Sequence, residues 1–564
     1  MINTLLEKEI VESANNMVLQ QHVQEIPFNG YKIYALTGER LTFENAYFQR
    51  RKQLTTLSLA YFLQKDERVK EMLEQVIWEI CDEYSWALPA HLPIINGKYS
   101  RESPRWIDLF AAETAESLAE IMELLRNDLS ALLIDRMEEE IERRVLIPFE
   151  QKKWEWENLD NNWSAVIAGS IGIVVLNLLE KNSTRQRNIL DRLDRSFRSY
   201  LSGFGADGAC LEGVGYWGYG FGYYIYFAEK YRSILGNDYY LSIDKVKRIA
   251  EFPFYAMVNK NSYVPFSDYS QPELPSGLLS FCSHEFDVKI PTLEIISSLN
   301  FDHCYRFAHI YRNLVWTTSS INEHHQENAI HYFEQAEWLT VRLPKFDLYF
   351  ATKGGSNQES HNHNDIGHFV FGSMETLYLT DLGAGEYTKD YFNEKERYKF
   401  LPTSSEGHSL PIINGKLQVN GKVQAKNVRM IDPGEIETAP VTFSLDLTDT
   451  YNHVRSLEGY NRNLSLFPSK KSLIVKECFR FNQTSNQVIE SFVTFYKPKI
   501  NGRLVELSDG NSKCMIEFDT DEIVEVEQFY NTHNGNRQKI YLIKALYQGD
   551  FTINTSIRFL IGEV

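Results

Sequence analysis

The hydrophobic pattern changes period part-way along the chain, and that change constrains the fold more than any single motif. Up to about residue 320, stretches such as RVKEMLEQVIWEICDEY (68–84) and ESLAEIMELLRNDLSALLIDRMEEEIERRVLIPFEQ (116–151) place apolar residues three and four apart, as an amphipathic helix does. From HYFEQAEWLTVRLPKFDLYFATKGG (331–355) onward, short runs such as LTVRL, FDLYFAT, HFVFG and SLIVKECFRF follow one another between Gly, Asn, Asp and Pro, the signature of antiparallel strands. With 564 residues the chain exceeds one ordinary core. The expected fold class is therefore α+β and multidomain. Residues 1–325 form a helical array or (α/α) toroid in which paired helices share a core, and residues 326–564 form antiparallel β-sandwich sheets. SINEHHQENAI (320–330) is the expected linker, and the strand-like stretch after about residue 500 is a candidate separate small β part.

Charge narrows the partners. The formal net charge of −18 excludes a general attraction to nucleic acid or anionic membranes. An acidic ligand would need a locally basic cleft. No uninterrupted apolar stretch is long enough to span a bilayer, and MINTLLEKEI carries acidic residues where a signal peptide would be basic and then apolar. The expectation is a cytoplasmic protein, or a secreted or periplasmic one if a signal has been removed. The six cysteines are scattered without CxxC spacing and read as buried thiols. Aromatic residues reach 13 %, which suits aromatic cores and also suits the C–H faces of sugar rings. Self-association is left open.

Three segments carry chemistry. In LDNNWSAVIAGSIGIVVLNLL (159–179), Asp160, Asn161 or Asn162 is placed to cap the apolar helix that follows, and one amide is alternatively free to hold an anion. In GFGADGACLEGVGYWGYGFGYYIYF (203–227), closely spaced glycines leave Tyr216, Trp217 and Tyr219 on a bare, loop-like stretch leading into a helix. Asp207 and Glu212 in the same segment are a candidate carboxylate pair for glycoside hydrolysis. The third segment, ESHNHNDIGHFVFGSMETLYLTDLGAGEY (359–387), sets His361 and His363 two apart, on one face if the segment is a strand, with Asp365 continuing that face. Such a polar face suits metal ligation or proton transfer. His363, Asp381 and His408 together make a donor set suited to zinc.

Taken in order, NNW (161–163), EGVGYWGYG (212–220), HNHNDIGHF (361–369), DLGAGEY (381–387) and HSLPIING (408–415) resemble the heparinase II/III family of polysaccharide lyases, as do WALPAH (86–91) and RWIDLFAAETA (105–115). The resemblance implies an (α/α) toroid followed by antiparallel β-sheet domains, with the site between them, and cleavage of a uronic-acid-containing polysaccharide by β-elimination. Heparan sulfate, hyaluronan, chondroitin and alginate all contain uronates. By resemblance, Asn162 neutralises the uronate carboxylate while His361 and Tyr216 share base and acid work. Trp86, His91, Trp217, Tyr219, Tyr387 and Arg397 are candidate substrate contacts. His363, Asp381 and His408 hold a structural zinc that keeps the His361 loop in register. Arg397 with Lys353, Lys395, Lys399 and Lys416 is the candidate basic cleft. Two rivals stand beside this reading: a hydrolase on a similar toroid using Asp207 and Glu212, and a non-catalytic carbohydrate-binding protein.

Overall fold

In the computed structural model, residues 3–260, 262–270, 273–293, 297–318, 327–359, 362–393 and 395–563 are described. His361 and most of the linker expected at 320–330 lie outside them. The chain packs as two compact units, one of Met1–Phe204, Tyr216–Ala250 and Glu273–Glu323, the other of Gly205–Gly215, Glu251–Pro272 and His324–Val564. The units interleave along the sequence, so the linear division at 325 follows the change of period but not the packing of 205–215 and 251–272.

The first unit is helical. Its main helices are α1 (Thr4–Gln20), α2 (Phe28–Thr37), α3 (Leu41–Gln64), α4 (Glu67–Cys81), α5 (Leu109–Leu125), α6 (Ala131–Ile141), α7 (Asn162–Leu178), α8 (Thr184–Ser202), α9 (Gly222–Leu235), the first half of α10 (Asp244–Ala256), α11 (Ser276–Phe286) and α12 (Phe307–Val315). Helix α4 shows why they form: Val69, Leu73, Val76, Ile77 and Ile80 fall on one stripe and are buried, and Asp66 caps the start by accepting from Arg68 N. The long pattern at 116–151 is broken, α5 ending at Leu125 and α6 starting at Ala131. Helix α7 is apolar all round and packs on α5, α8 and α9. Its Gly172 leaves room for the Phe227 ring of α9, which a Cβ there would meet at 2.4 Å. The array closes on itself, because Asn3 N at the head of α1 donates to Leu314 O of α12 at 2.8 Å and Leu299 N donates to Glu9 Oε2 at 2.8 Å. This closure is what the toroid expectation requires of the helical unit.

The second unit is antiparallel β. Strands β1 (Ala329–Phe333), β2 (Trp338–Leu343), β3 (Leu348–Lys353), β4 (Phe369–Gly372) and β5 (Leu377–Leu379) form a five-stranded meander. Then come β6 (Ile412–Ile413), β7 (Lys426–Ile431), β8 (Val441–Asp446), β9 (Leu457–Phe467), β10 (Ser472–Phe481), β11 (Asn486–Thr494), β12 (Lys499–Asn501), β13 (Leu504–Ser508), β14 (Ser512–Glu517), β15 (Ile523–Asn531), β16 (Arg537–Gly549) and β17 (Thr552–Glu563). An eight-stranded sheet has the order β7-β8-β9-β10-β17-β14-β13-β12, and a four-stranded sheet the order β6-β11-β16-β15. Strand β17 alternates buried Ile553, Ile557, Phe559 and Ile561 with exposed neighbours, the period-2 pattern of a half-buried strand. Phe369, Phe371, Phe492 and Phe559, from three sheets, meet with ring centroids 5.3–6.2 Å apart in one continuous core. Each such buried ring contributes about 1.5–3 kcal/mol of burial free energy. The strands after residue 500 complete these same sheets, since β17 pairs with β10 and β16 with β11. They do not form a separate C-terminal part.

Among the described residues no helix is long and apolar enough to cross a membrane. Five of the six cysteines are buried and Cys478 is partly so; all carry free thiols.

Candidate functional site

In the helical unit the segments singled out by sequence come together. Asn161 is the cap of α7, its side chain accepting from Trp163 N at 3.1 Å. Asn162 is thereby released from capping and lies buried as the first helical residue. Gly220 presses on it, because a Cβ at 220 would stand 3.1 Å from the Asn162 Cβ. Tyr216 ends a short helical turn (Val214–Tyr216) and is followed by a π-type turn at Trp217–Phe221, so this stretch is helical rather than a loose loop.

WALPAH and RWIDLFAAETA meet at Asp108. Its carboxylate caps α5 through Ala111 N at 2.7 Å, takes Leu88 N at 3.1 Å and lies 2.7 Å from His91 Nδ1. Those contacts put a proton on Nδ1 and leave Nε2 of His91 as the acceptor. The His91 ring stands 4.9 Å from Trp163, edge to face, which ties both segments to NNW.

One helical turn beyond Tyr216, the Tyr219 hydroxyl donates to Glu113 Oε1 at 2.5 Å. Arg306 Nε donates to the same oxygen at 3.0 Å, and the guanidinium sits 4.0 Å over the Tyr219 ring. Asp302 accepts from the other side of Arg306 at 2.8 Å. Burial, then the Glu113 charge, holds the Tyr219 hydroxyl well above the usual phenol range. Burial also raises Glu113, against the pull of Arg306.

Trp86 and Trp217 are a different matter. Both rings are fully buried, with indole N–H groups donating to Ile80 O at 2.8 Å and Ile249 O at 2.7 Å. They serve the core and offer no face to a sugar, contrary to the expectation of substrate contact.

The β unit holds the second constellation. The described part of HNHNDIGH, residues 362–368, is a turn-rich loop between β3 and β4, not a strand, so alternation does not set its side-chain directions. His363, Asp381 and His408 are nevertheless brought together in the interior. His363 Nδ1 faces His408 Nε2 at 3.3 Å, and His408 Nε2 lies 3.5 Å from Asp381 Oδ2.

The outer contacts fix the rings. His363 Nε2 meets Asp268 Oδ1 at 3.1 Å, and His408 Nδ1 meets Ser404 O at 2.8 Å. Acceptors at those atoms hold the ring protons there, so the two nitrogens that face each other both present lone pairs. Asp381 Oδ1 accepts from Gly383 N at 2.8 Å, while Oδ2 accepts no well-formed hydrogen bond from the described residues, His368 Nε2 standing 3.3 Å away. Two lone pairs and a carboxylate oxygen converging in a dry interior form a set that can bind a metal ion. Burial, only partly offset by the Asp381 charge, lowers His408 to about 4 and keeps it a neutral ligand. Although burial opposes its ionised form, the His408, His368 and His363 rings hold Asp381 well below the usual carboxylate range.

Asp268 anchors this set. It also accepts from Tyr391 Oη at 2.6 Å and from Arg397 Nη2 at 3.0 and 3.1 Å. Arg397 is buried and further spends its donors on Asn362 O, so it supports the His363 loop instead of lying open to substrate. Lys353 is likewise buried, paired with Asp365 at 2.9 Å, and Lys399 pairs with Glu396. The expected basic cleft thus loses Arg397 and Lys353. Tyr387 is half-buried, its ring 4.3 Å from His533 and 4.8 Å from Phe392. Arg462 braces the loops from beneath, donating to Gly367 O at 2.7 Å and Ser409 O at 2.8 Å, next to His368 and His408.

Asp207, the expected hydrolytic carboxylate, accepts from Ala209 N through Oδ1 and from Gln335 N and Ala336 N through Oδ2, at 2.8–3.2 Å. Both oxygens clasp backbone, which leaves it no role as general acid or nucleophile. Asp108, Glu113, Arg306, Asp268, Tyr391 and His368 are site residues that pattern reading did not single out. Asp108 and Glu113 lay inside a quoted motif, but Asp268 and Arg306 carry no local signal.

No protein-family model matches the chain, and no curated protein matches it in sequence. Its fold does match solved structures. A heparinase III structure aligns over 100 % of this chain and 92 % of its own, at 12 % identity and a TM-score of 0.66. The heparan sulfate lyase HepC from Pedobacter heparinus aligns over 98 % and 84 %, at 11 % identity and a TM-score of 0.63. A chondroitin AC lyase of Streptomyces coelicolor aligns over 99 % and 80 %, at 8 % identity and a TM-score of 0.52. At these identities the likeness is one of fold: a helical toroid with β-sandwich sheets.

Proposed function

We propose that this chain is a polysaccharide lyase that cleaves a uronate-containing polysaccharide or oligosaccharide by β-elimination, leaving a C4=C5 unsaturated uronate. The observation that carries the reading is the convergence, within the helical unit, of four segments far apart in sequence: His91, Asp108 and Glu113, Asn162 and Trp163, and Tyr219 with Gly220. Proteins of the same fold that act on heparan sulfate and chondroitin support the substrate class. Fold alone would not separate a lyase from a hydrolase on the same scaffold, but the backbone-bound state of Asp207 favours the lyase.

The C5 proton of a uronate is weakly acidic, and its removal requires the carbanion to spread into the carboxylate. An amide that hydrogen-bonds that carboxylate stabilises the enolate-like transition state more than the ground state. Asn162, the buried first residue of the helix that Asn161 caps, is assigned this role. Tyr216 and His361 are assigned proton transfer, one removing the C5 proton and the other protonating the leaving glycosidic oxygen. Tyr219 is assigned substrate contact, its ring and hydroxyl held by Arg306 and Glu113, and His91 presents Nε2 to the same surroundings.

His363, Asp381 and His408 are assigned a structural zinc. Bonds of about 2.0–2.1 Å to a tetrahedral zinc imply donor-to-donor edges of about 3.3 Å, and the separations here are 3.3 and 3.5 Å. Bound zinc would supply a fixed positive centre that locks the loop carrying His361. Asp268, Tyr391 and Arg397 orient His363 for it.

The test is the conjugated unsaturated-uronate absorbance, followed across heparan sulfate, chondroitin, hyaluronan and alginate with the wild type and with Tyr216→Phe and His361→Ala. A growing band that both substitutions abolish is the expected result. Reducing ends that appear without the band would overturn the reading.

A further inference from the structure

The outward face of the eight-stranded sheet carries a polar cleft that the elimination chemistry does not use. One register row crosses five neighbouring strands: Arg429 opposite Ser444, Ser444 opposite Asn463, Asn463 opposite Lys476, and Lys476 opposite Ser556. Residues paired in this way project from one face, and all five are exposed or half-exposed. At about 4.8 Å per strand the row is about 19 Å long. Asn461 and Asn554 flank it in the next row, on either side of Cys478. Together they line a cleft of about 670 Å³.

The chemistry of the row is specific in kind. Amide and hydroxyl side chains both donate and accept, which matches sugar hydroxyls. Arg429 and Lys476 make no ion pair among the described residues and stand three strands apart. The three carboxylates at the cleft are already engaged: Asp519 accepts from Tyr547 Oη at 2.6 Å and Ser556 N at 2.8 Å, Asp446 accepts from Thr448 N and Oγ1, and the buried Glu477 accepts from Tyr460 Oη and Arg462 Nε. What remains for a ligand is a line of neutral hydrogen-bonding groups with a cation near each end. The row contains no aromatic ring, so bases would find nothing to stack on.

We propose that this sheet face is a second, non-catalytic binding site for an acidic oligosaccharide, gripping a segment of the polymer away from the bond being cleaved. The identity of the ligand, though not the site itself, rests on the function proposed above.

The test uses the full chain carrying Tyr216→Phe to block turnover, with retention measured on immobilised heparan sulfate and alginate. Arg429→Ala combined with Lys476→Ala, and separately Asn463→Asp, are exposed changes that leave the core intact. Each is expected to weaken retention about tenfold or more, the effect of losing a charge-assisted hydrogen bond. In the otherwise wild-type enzyme, unsaturated-uronate formation from short oligosaccharides should be unchanged by them. Retention equal to the parent would overturn the proposal, as would retention lost only on single-stranded DNA. If no elimination is observed yet these changes still abolish retention, the lyase reading fails and this site stands.

Discussion

In the helical unit Arg306, beside Tyr219, is 13 % exposed while its partner Glu113 is buried, whereas in the β unit the side chains of His363, Asp381 and His408 are wholly enclosed. The first arrangement suits groups that must touch a substrate and move a proton. The second suits a fixed cross-link whose value lies in what it holds still. Both depend on a carboxylate shared among several donors: Glu113 between Tyr219 and Arg306, and Asp268 among His363, Tyr391 and Arg397. The difference in exposure sets what each carboxylate is worth. A charge left alone in a sealed interior costs far more than one that water can reach.

The largest expected effect follows directly. Asp268→Ala leaves the buried Arg397 unpaired and should destabilise the protein by about 3–5 kcal/mol in denaturant unfolding, with loss of bound metal by elemental analysis. A cost under about 1 kcal/mol would show that water enters the β-unit cluster and would erase the contrast. The same enclosure predicts a pH response. His408 has a folded value of about 4, below the ordinary histidine value of about 6.5. The unfolded chain therefore binds the extra proton first as pH falls. Its contribution to stability is complete above about pH 6.5 and is lost towards pH 4. Melting temperature should decline across that window, and metal should leave in the same range because protons compete for the ligand nitrogens. A flat profile between pH 6.5 and 4 would break the account of the sealed site.

Arg306→Met sharpens the other side of the comparison. Losing the charge-assisted bonds to Glu113 and Asp302 should cost about 1–3 kcal/mol, while catalytic turnover falls further than stability because Tyr219 loses its clamp. An unfolding free energy reduced with turnover unchanged would make the network purely structural. The smallest effect is expected for Gly220→Ala. The added Cβ meets Asn162 at 3.1 Å, a contact that a few tenths of an ångström would relieve. Stability should change by about 1 kcal/mol or less, but kcat/KM should drop through displacement of the amide.

The fold was legible because period is a local property. The stripe on α4 and the alternation on β17 are written in consecutive residues. The grouping of His363, Asp381 and His408 was legible for a related reason, since imidazoles and carboxylates that crowd one segment need a use. Its supports were not legible. Asp268 lies 95 residues before His363 and Arg306 lies 193 residues after Glu113, and nothing in either neighbourhood announces the partner. Trp86, Trp217 and Arg397 misled for the converse reason: residue types favoured in sugar sites are equally favoured in a core when a backbone carbonyl or a buried carboxylate satisfies them. Tandem Asn161 and Asn162 were resolved only by seeing which one caps the helix.

The central claim is that the glycosidic bond breaks by elimination, with no water added. Cleavage in heavy-oxygen water, followed by mass spectrometry of the new chain ends, tests it most directly. Elimination predicts one unsaturated uronate end for every bond cleaved, with no heavy oxygen in that end and none at the new reducing end beyond the slow exchange of its hemiacetal oxygen. One heavy oxygen incorporated at each cleaved bond would make the chain a hydrolase and would contradict the roles given to Asn162, Tyr216 and His361.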